Sequence, residues 1–373
     1  MRVDRLKLDN FRNLANTTLE FAGRGHLLIG DNGHGKTNLL EAIYYLTLLR
    51  SFRGNQDADC ICFGEQHFSV RGHWTDDQEG VENLVVGYDG RRKKLVLDGV
   101  EKKKVSEVFG VFKSVVICPD DIAIVQEGPS VRRRYLDIVL SLYVPGYLDR
   151  LKRYRRALAS RNVLLKRHET AEATIKPWEV EMAVYGAKLV VDRLEFGDLL
   201  EPVYARLFET LGGGEKSSLS YESDILKAAG YHNGDDLVEQ EKLVQVFEQR
   251  LEERRPTERE RGTSLSGPQT DELVFGLGEK NLRGFGSQGQ QRTAVICLKM
   301  AEAELFQSRR GIKPVLLLDD IFSELDPGRS SRLLGELVQR HQSFITAPRM
   351  EAVFDRLGHL APLKVERGVV QPI

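Results

Sequence analysis

The chain contains the stretch Gly30-Asp31-Asn32-Gly33-His34-Gly35-Lys36-Thr37, which fits the phosphate-loop pattern G-x-x-x-x-G-K-[ST]. The apolar residues 26–29 before it predict a short buried strand, and residues 36–43 after it predict a helix. In this setting the loop's backbone N–H groups surround phosphate oxygens, and the helix N-terminus adds partial positive charge. A chance glycine-rich turn is the alternative, and the flanking strand and helix disfavour it. All eight residues are therefore predicted to bind a nucleoside triphosphate.

Two pairs of side chains have specific expected roles in that site. Lys36 is expected to reach the β- and γ-phosphates and to act in catalysis, and Thr37 to hold Mg²⁺. The apolar run 315–318 predicts a strand that ends in Asp319 and Asp320, the Walker B pattern. Asp319 is expected to bind Mg²⁺ through water, and Asp320 to orient or deprotonate the attacking water. A buried strand with a solvated acidic end is the alternative, and the phosphate loop disfavours it. ATP and Mg²⁺ are the predicted cofactors.

The composition excludes several classes of protein. Lys and Arg number 54 and Asp and Glu 55, so polyanion binding must depend on local clusters. No apolar run reaches the ~18–20 residues of a membrane span, and the start of the chain lacks a secretory signal. The four cysteines are too few for a disulfide scaffold, and Cys60 and Cys62 are interpreted as packing residues. The expectation is a cytoplasmic protein with no membrane partner.

The order of patterns along the chain predicts a nucleotide-binding fold that is split in two. Residues 66–117 alternate between apolar and polar and contain Asp89-Gly90 and Asp98-Gly99, so they predict an antiparallel β-layer. Long helical patterns fill residues 130–255, and residues 254–267 are predicted to be a connector. The expected segments are 1–125 for the N-terminal half of the head, 126–262 for a helical insertion and 263–373 for the C-terminal half.

A third motif narrows the class. Ser287-Gln288-Gly289-Gln290 precedes an amphipathic pattern and lies 32 residues before Asp319, and Ser323-Glu324-Leu325-Asp326 follows soon after. This order is similar to that of the ATP-binding-cassette ATPases: Walker A, signature, Walker B and D-loop. The fold class expected is α/β, an ABC-type P-loop ATPase head with a mixed sheet, an antiparallel β-layer and a mostly helical inserted lobe. Ser287, Gly289 and Gln290 are predicted to bind nucleotide.

The signature serine precedes a predicted helix, so it marks a second anion site without a phosphate of its own. It becomes useful when it faces the γ-phosphate held by another copy of the chain. Two head-to-tail copies would then enclose two ATP molecules, and hydrolysis would release them. A homodimer that forms with ATP is therefore expected, with Ser287 contributing to catalysis.

Four features together resemble the RecF family, which is related to the heads of SMC proteins. They are residues 6–14, the loop and its continuation 36–44 with Arg50-Ser51-Phe52-Arg53, the stretch 119–137, and the motifs at 287–292 and 318–326. The resemblance implies an SMC-like head with a short helical lobe in place of the long coiled coil. It also implies ATP-dependent dimerisation, DNA binding with a weak, DNA-stimulated ATPase, and work with RecR and RecO to load recombinase during repair and replication.

Three positions depart from the general cassette pattern. No histidine follows the D-loop at the end of the strand pattern 344–348, and His341 precedes that strand and is not assigned a role. No glutamine occupies the Q-loop place near 117–121, and Asp320 replaces the usual glutamate. These departures favour a slow switch over a motor.

A basic cluster predicts DNA binding. Residues 150–167 contain eight basic residues and no acidic one: Arg150, Lys152, Arg153, Arg155, Arg156, Arg161, Lys166 and Arg167. Phosphate contacts from such a helix give sequence-independent binding, here to a duplex or a single/double-strand junction. A solvated helix face is the alternative. For the lysines at 93–94 and 102–104, DNA binding and protection of an edge strand are equally good interpretations.

Two other functions share some of these motifs. The ATPase subunit of a membrane transporter has the cassette motifs, but the long helical insertion argues against it. A scaffold that binds ATP without turnover is disfavoured by Lys36, Asp319 and Asp320, all of which are present.

Overall fold

The computed structural model describes residues 1–54, 56–76, 80–167, 171–231, 238–321, 338–348 and 360–373. The chain divides into two compact units, which we call the first unit (Met1–Ile122 and Val295–Ile373) and the second unit (Ala123–Ala294). Residues 263–294, which the sequence grouped with the C-terminal half of the head, belong to the second unit in this division.

The elements follow in chain order. The first stretch of the first unit contains β1 (Arg2–Asp9), β2 (Thr17–Glu20), β3 (Gly25–Ile29), α1 (Lys36–Leu48), β4 (Phe68–Thr75), β5 (Val81–Tyr88), β6 (Lys93–Leu97), β7 (Val100–Lys102) and β8 (Ser114–Ile117). The second unit contains α2 (Ala123–Gln126), α3 (Pro129–Tyr143), α4 (Tyr147–Leu165), α5 (Glu172–Leu211), β9 (Ser217–Glu222), α6 (Asp224–Ala228), α7 (Gln240–Arg261), β10 (Glu272–Leu277), β11 (Lys280–Asn281) and α8 (Leu282–Phe285). Helix α9 (Gln288–Arg310) runs across the division, and β12 (Val315–Leu318), β13 (Ser343–Ala347), β14 (Ala361–Glu366) and β15 (Val369–Pro372) complete the first unit.

Two six-stranded sheets build the first unit. One is antiparallel in the order β2-β1-β4-β5-β6-β7. The other has the order β15-β14-β3-β13-β12-β8, and all of its pairs are parallel except β14 with β15. Helix α1 contacts β4 of the antiparallel sheet and β8, β12 and β13 of the mixed sheet. It is buried on nearly all sides, because it lies between two apolar sheet faces.

The predicted antiparallel layer is confirmed in most of its length. Asp98 and Gly99 both have positive φ, 49° and 78°, and they join β6 to β7 as Asp-Gly does in tight hairpins. The end of the predicted layer is different, because Ser114–Ile117 pairs in parallel with β12 in the mixed sheet. All four residues of β8 are buried, which is typical of a parallel strand covered on both faces.

The second unit contains a three-stranded sheet, β11-β10-β9, and the helices that surround it. The 40-residue helix α5 packs against α4, α7 and β9 and ends before the turn at Gly212–Gly214. The predicted connector is wrong over 254–261, because α7 continues through Pro256 and ends at Gly262, which has a φ of 65°. The antiparallel and mixed sheets and the helical lobe match the predicted fold class. Within the described residues, no helix is both long and apolar enough to cross a membrane.

Candidate nucleotide site and basic helix

The phosphate loop lies between β3 and α1, at the carboxyl edge of the mixed sheet. Strand β3 pairs with β13 on one side and with β14 on the other, which fixes the start of the loop. Two glycines are required by close approach: a Cβ on Gly30 would lie 2.1 Å from the carbonyl oxygen of Val365, and one on Gly35 would lie 2.7 Å from Asn13 Oδ1. The φ of Gly35 is 112°, which other residues rarely adopt. The glycines of the phosphate-loop pattern are therefore required both by the close approach of neighbouring atoms and by the backbone conformation.

Lys36 begins α1 and is 8% exposed. Its Nζ donates hydrogen bonds to the carbonyl oxygens of Gly30 (2.6 Å) and Asp31 (3.0 Å), which hold the ammonium group inside the loop. Burial lowers the pKa of Lys36, and the carboxylates of Asp319, Asp320 and Asp31 oppose that shift. An ammonium group held in this way can neutralise phosphate charge without reorganising.

Asp319 follows β12 and is hydrogen-bonded by two threonines. Thr37 Oγ1 donates to Asp319 Oδ1 at 3.0 Å, and Thr346 Oγ1 donates to the same oxygen at 2.9 Å. Burial raises the pKa of Asp319, and the hydrogen bonds from Thr346 and Thr37 oppose the rise. The parallel strands β3, β12 and β13 end at one edge, which brings these residues together.

Asp320 adopts the left-handed region, with a φ of 47°. Its backbone N–H donates to Thr346 Oγ1 at 2.8 Å, so one threonine hydroxyl connects both aspartates. Sequence patterns did not identify Thr346 as a site residue. Its position near the end of the apolar run 343–347, where the cassette pattern has a histidine, is the feature of the sequence that could have identified it. His341 is buried, with Nδ1 3.0 Å from the carbonyl oxygen of Pro314, so it is placed as a structural residue.

A cavity of about 390 Å³ lies over these groups. Its lining residues all belong to the first unit: Asn32, Gly33, Gly35, Lys36, Thr37, Asn38, Arg53, Pro119, Asp319, Asp320, Thr346 and Pro348. The structure therefore brings the loop and both aspartates together in one cavity. No group of three or more His, Cys, Asp or Glu among the described residues could hold a metal ion alone. Thr37 and Asp319 offer a hydroxyl and a carboxylate, which fit Mg²⁺, an ion that usually takes one or two protein ligands and fills its other positions with phosphate and water.

Arg53 is a second lining residue that sequence patterns missed. Its Nη1 lies 3.8 Å from Oε2 of Glu41, a fully buried carboxylate on α1. Glu41 also pairs with Arg12 at 2.7 Å and accepts a hydrogen bond from Ser51. The feature of the sequence that could have identified it is the pair of arginines just after α1, at positions 50 and 53. The network places a guanidinium group beside the phosphate loop.

The signature motif lies in the second unit. Ser287 N donates to Gln290 Oε1 at 2.7 Å, and Gln290 N donates to Ser287 Oγ at 3.2 Å. These reciprocal bonds form a capping arrangement just before α9. Gln290 Nε2 donates to Glu215 Oε2 at 2.8 Å, and Gly289 is exposed. The predicted D-loop, residues 323–326, lies outside the described residues.

Six of the eight basic residues that were predicted to bind DNA lie on helix α4, and Lys166 and Arg167 follow its last residue. Arg161 does not have the solvent-facing position that the prediction of DNA binding requires. It is fully buried and pairs with Glu179 (3.0 Å) and Glu258 (2.6 Å). Arg150 is largely buried and pairs with Asp192 at 2.6 Å. The exposed members are Lys152, Arg153, Arg155, Arg156, Lys166 and Arg167.

Several exposed arginines of α4 are held in place by neighbours. Arg153 Nη1 donates to the hydroxyl of Tyr185 at 2.7 Å, and the Arg156 guanidinium lies 5.9 Å from the ring centre of Trp178. Arg155 pairs with Asp137 at 2.8 Å. The basic face is therefore ordered, and three of its cations have further contacts.

The family model described as RecF/RecN/SMC N terminal domain matches residues 2–366. The chain is 37% identical over 356 residues to the DNA replication and repair protein RecF of Halothermothrix orenii, covering 93% of this chain and 92% of the relative. It is 34% identical over 373 residues to the protein of that name from Halalkalibacterium halodurans, covering 99% and 98%. A solved structure described as the recombination mediator protein RecF-ATP in the RecFOR pathway has a TM-score of 0.90 and 32% identity, covering 100% of this chain and 97% of that one.

Proposed function

Since this chain belongs to the RecF/RecN/SMC N-terminal domain family and, within it, to the RecF proteins, we propose that it is a recombination mediator that binds ATP. It acts in DNA replication and repair, as the names of its relatives state for them. The match over residues 2–366 also argues against the transporter alternative, because it includes the second unit.

The observation that carries the proposal is the joint position of Thr37, Asp319 and Thr346 under one cavity. Thr37 and Asp319 would hold Mg²⁺, which when bound supplies positive charge beside the β- and γ-phosphates. The loop N–H groups and the Lys36 ammonium bind and orient the triphosphate. Asp320 orients the attacking water and accepts its proton.

Hydrolysis by this site is slow, and DNA stimulates it. Asp320 has a shorter side chain than glutamate, and its backbone conformation is fixed by the bond to Thr346. The end of β13 offers the hydroxyl of Thr346 where faster cassette enzymes offer an imidazole. Slow turnover suits a switch whose ATP state must persist while it acts on DNA.

ATP also joins two copies of the chain. The cavity belongs to the first unit and the signature to the second, and Ser287 and Gln290 present an exposed cap before α9. A triphosphate held in the cavity of one copy meets the signature of the other. Ser287 and Gly289 then contact the γ-phosphate, and two ATP molecules lie in the interface.

The dimer is a clamp on DNA that works with RecR and RecO. The support for DNA binding is the ordered basic face of α4, which together with Lys166 and Arg167 just after the helix has six exposed cations that suit phosphate contacts without sequence preference. RecR and RecO follow from the RecFOR pathway of the solved relative. Together these partners place the protein at gaps or junctions where recombinase is loaded.

ATP turnover with and without duplex DNA tests the enzymatic part of the proposal and separates it from the scaffold alternative. We expect slow, Mg²⁺-dependent turnover that rises with duplex DNA and is lost in Asp319→Asn. The control Asp9→Asn, on β1, should behave as the unchanged protein. Absent turnover would favour a scaffold, and equal turnover in Asp319→Asn would contradict the role given to Asp319.

A further inference from the structure

Phe285 is a large apolar side chain that is 67% exposed, only two residues before the signature serine. It ends the short helix α8, and the ammonium group of Lys280 lies 5.1 Å from the centre of its ring. A lone exposed aromatic residue can be accidental. The backbone that carries this one, however, is unusually well fixed.

A buried amide organises the segment beneath Phe285. Gln291 is 7% exposed, and its Nε2 donates to the carbonyl oxygens of Leu282, Arg283 and Gly286 at 3.2–3.4 Å. Its Oε1 accepts a hydrogen bond from Gln126 at 2.9 Å. The amide thus bonds to three carbonyl oxygens of the short segment 282–286, which carries the exposed ring.

Two further contacts fix the backbone segment that carries Phe285. Leu282 is fully buried, and Gly286 N donates to its carbonyl oxygen at 2.8 Å. A Cβ on Gly286 would lie 2.7 Å from the Leu282 side chain, so glycine is required for this close turn. The ring is therefore presented by a rigid scaffold, and little conformational entropy remains to be lost when it packs against a partner.

The charge around Phe285 indicates the kind of surface that covers it. From Lys280 to Arg292 the sequence has three basic residues and no acidic one. The nucleotide cavity of this chain is lined by two basic and two acidic side chains, Lys36, Arg53, Asp319 and Asp320, so a bound triphosphate makes the loaded site negative. A second copy of this chain, loaded with ATP, offers the complementary surface.

We propose that Phe285 is the aromatic anchor of the ATP-dependent interface between two copies of this chain, and that Lys280 adds charge attraction to it. This inference rests on the proposed function, since it takes the signature to face the nucleotide of a second copy. Buried aromatic anchors near the centre of an interface carry much of the binding energy. Phe285 also lies beside Ser287, where the facing copy must approach most closely.

The test compares Phe285→Ala with Phe63→Ala, which removes a fully exposed phenylalanine in the first unit. Sedimentation velocity with a slowly hydrolysed ATP analogue measures dimerisation, and nucleotide titration at low protein concentration measures ATP binding by the monomer. We expect Phe285→Ala to weaken dimerisation at least about tenfold with unchanged nucleotide affinity. Phe63→Ala should behave as the unchanged protein, and Phe285→Tyr should retain most of the dimer.

Each of three outcomes would contradict the proposed role of Phe285. Equal dimerisation by the unchanged protein and Phe285→Ala would overturn the inference and leave the proposed function intact. Equal weakening by Phe63→Ala would also overturn it, because the effect would not be specific to the signature segment. An unchanged protein that stays monomeric with the ATP analogue would contradict the proposed function and this inference with it.

Discussion

Thr37 Oγ1 donates a hydrogen bond of 3.0 Å to Asp319 Oδ1, although the two residues are 282 positions apart in the chain. Thr346 donates to the same oxygen and accepts from the backbone N–H of Asp320. The first and last parts of the first unit therefore form one site.

Lys36→Ala should abolish ATP binding. The lysine ammonium is held inside the loop by two carbonyl oxygens, so the substitution removes a positive charge from within the loop that surrounds the β- and γ-phosphates. ATP-dependent dimerisation should disappear with it. Nucleotide titration of the variant checks this, with the exposed Lys103→Ala as the control. Unchanged affinity in Lys36→Ala would refute the assignment of the phosphate loop.

Ser287→Arg should leave ATP binding by the monomer close to normal and block the dimer. Ser287 is not among the residues that line the nucleotide cavity, and the order of the cassette motifs predicts that it contacts the nucleotide of another copy. An arginine there would collide with the bound triphosphate. Light scattering with ATP measures the dimer, and Ser130→Arg on α3 is a control with the same chemical change. A Ser287→Arg protein that still dimerises would contradict the signature assignment.

Thr346→Val should slow ATP hydrolysis more than it weakens ATP binding. The change keeps the shape of a buried residue but removes the hydroxyl that connects Asp319 to the Asp320 backbone. We expect a fall in turnover of about tenfold, equivalent to ~1.4 kcal/mol. Stability should fall by about 1 kcal/mol, because the partly buried N–H of Asp320 loses its acceptor. Single-turnover hydrolysis and thermal unfolding check both effects. Thr346→Ser should retain the activity, and equal turnover in the valine and serine variants would count against the role of the hydroxyl.

Replacing Lys152, Arg153 and Arg156 with Ala should weaken duplex binding in a salt-dependent way. Each lost phosphate contact should reduce the slope of log K against log salt by about 0.9. ATP binding should be unchanged, because none of these residues lines the cavity. Replacing Arg5, Arg24 and Arg309, which are exposed residues of the first unit outside the predicted basic clusters, removes an equal charge and serves as the comparison. Slopes and affinities identical to those of the unchanged protein would remove α4 from the DNA site.

The features that local sequence could predict are those fixed by local chemistry. The phosphate loop depends on glycines at specific backbone angles and on one lysine, all within eight residues. The hairpin at Asp98-Gly99 depends on two residues with positive φ. The strand that ends in Asp319 and Asp320 is a continuous apolar run, which has few other interpretations next to a phosphate loop. The resemblance to the RecF family added the order of these motifs and the expectation of a helical lobe.

What the sequence could not predict depends on contacts between distant residues. Arg161 has the same local setting as its basic neighbours, and only Glu179 and Glu258, from α5 and α7, show that it is buried. The strand Ser114–Ile117 follows the antiparallel strands in sequence, yet its partner is β12, about 200 residues later. Arg53 and Thr346 join the site through the fold, and neither belongs to a motif that was assigned to it.

Oligomeric state and duplex DNA binding, measured together with ATP, with ADP and without nucleotide, test the ATP-dependent clamp most directly. We expect a dimer that binds DNA tightly with ATP, and a weakly binding monomer in the other two states. Lys36→Ala should remain monomeric in all three. A monomer whose DNA affinity is the same with ATP, with ADP and without nucleotide would contradict the ATP-dependent clamp.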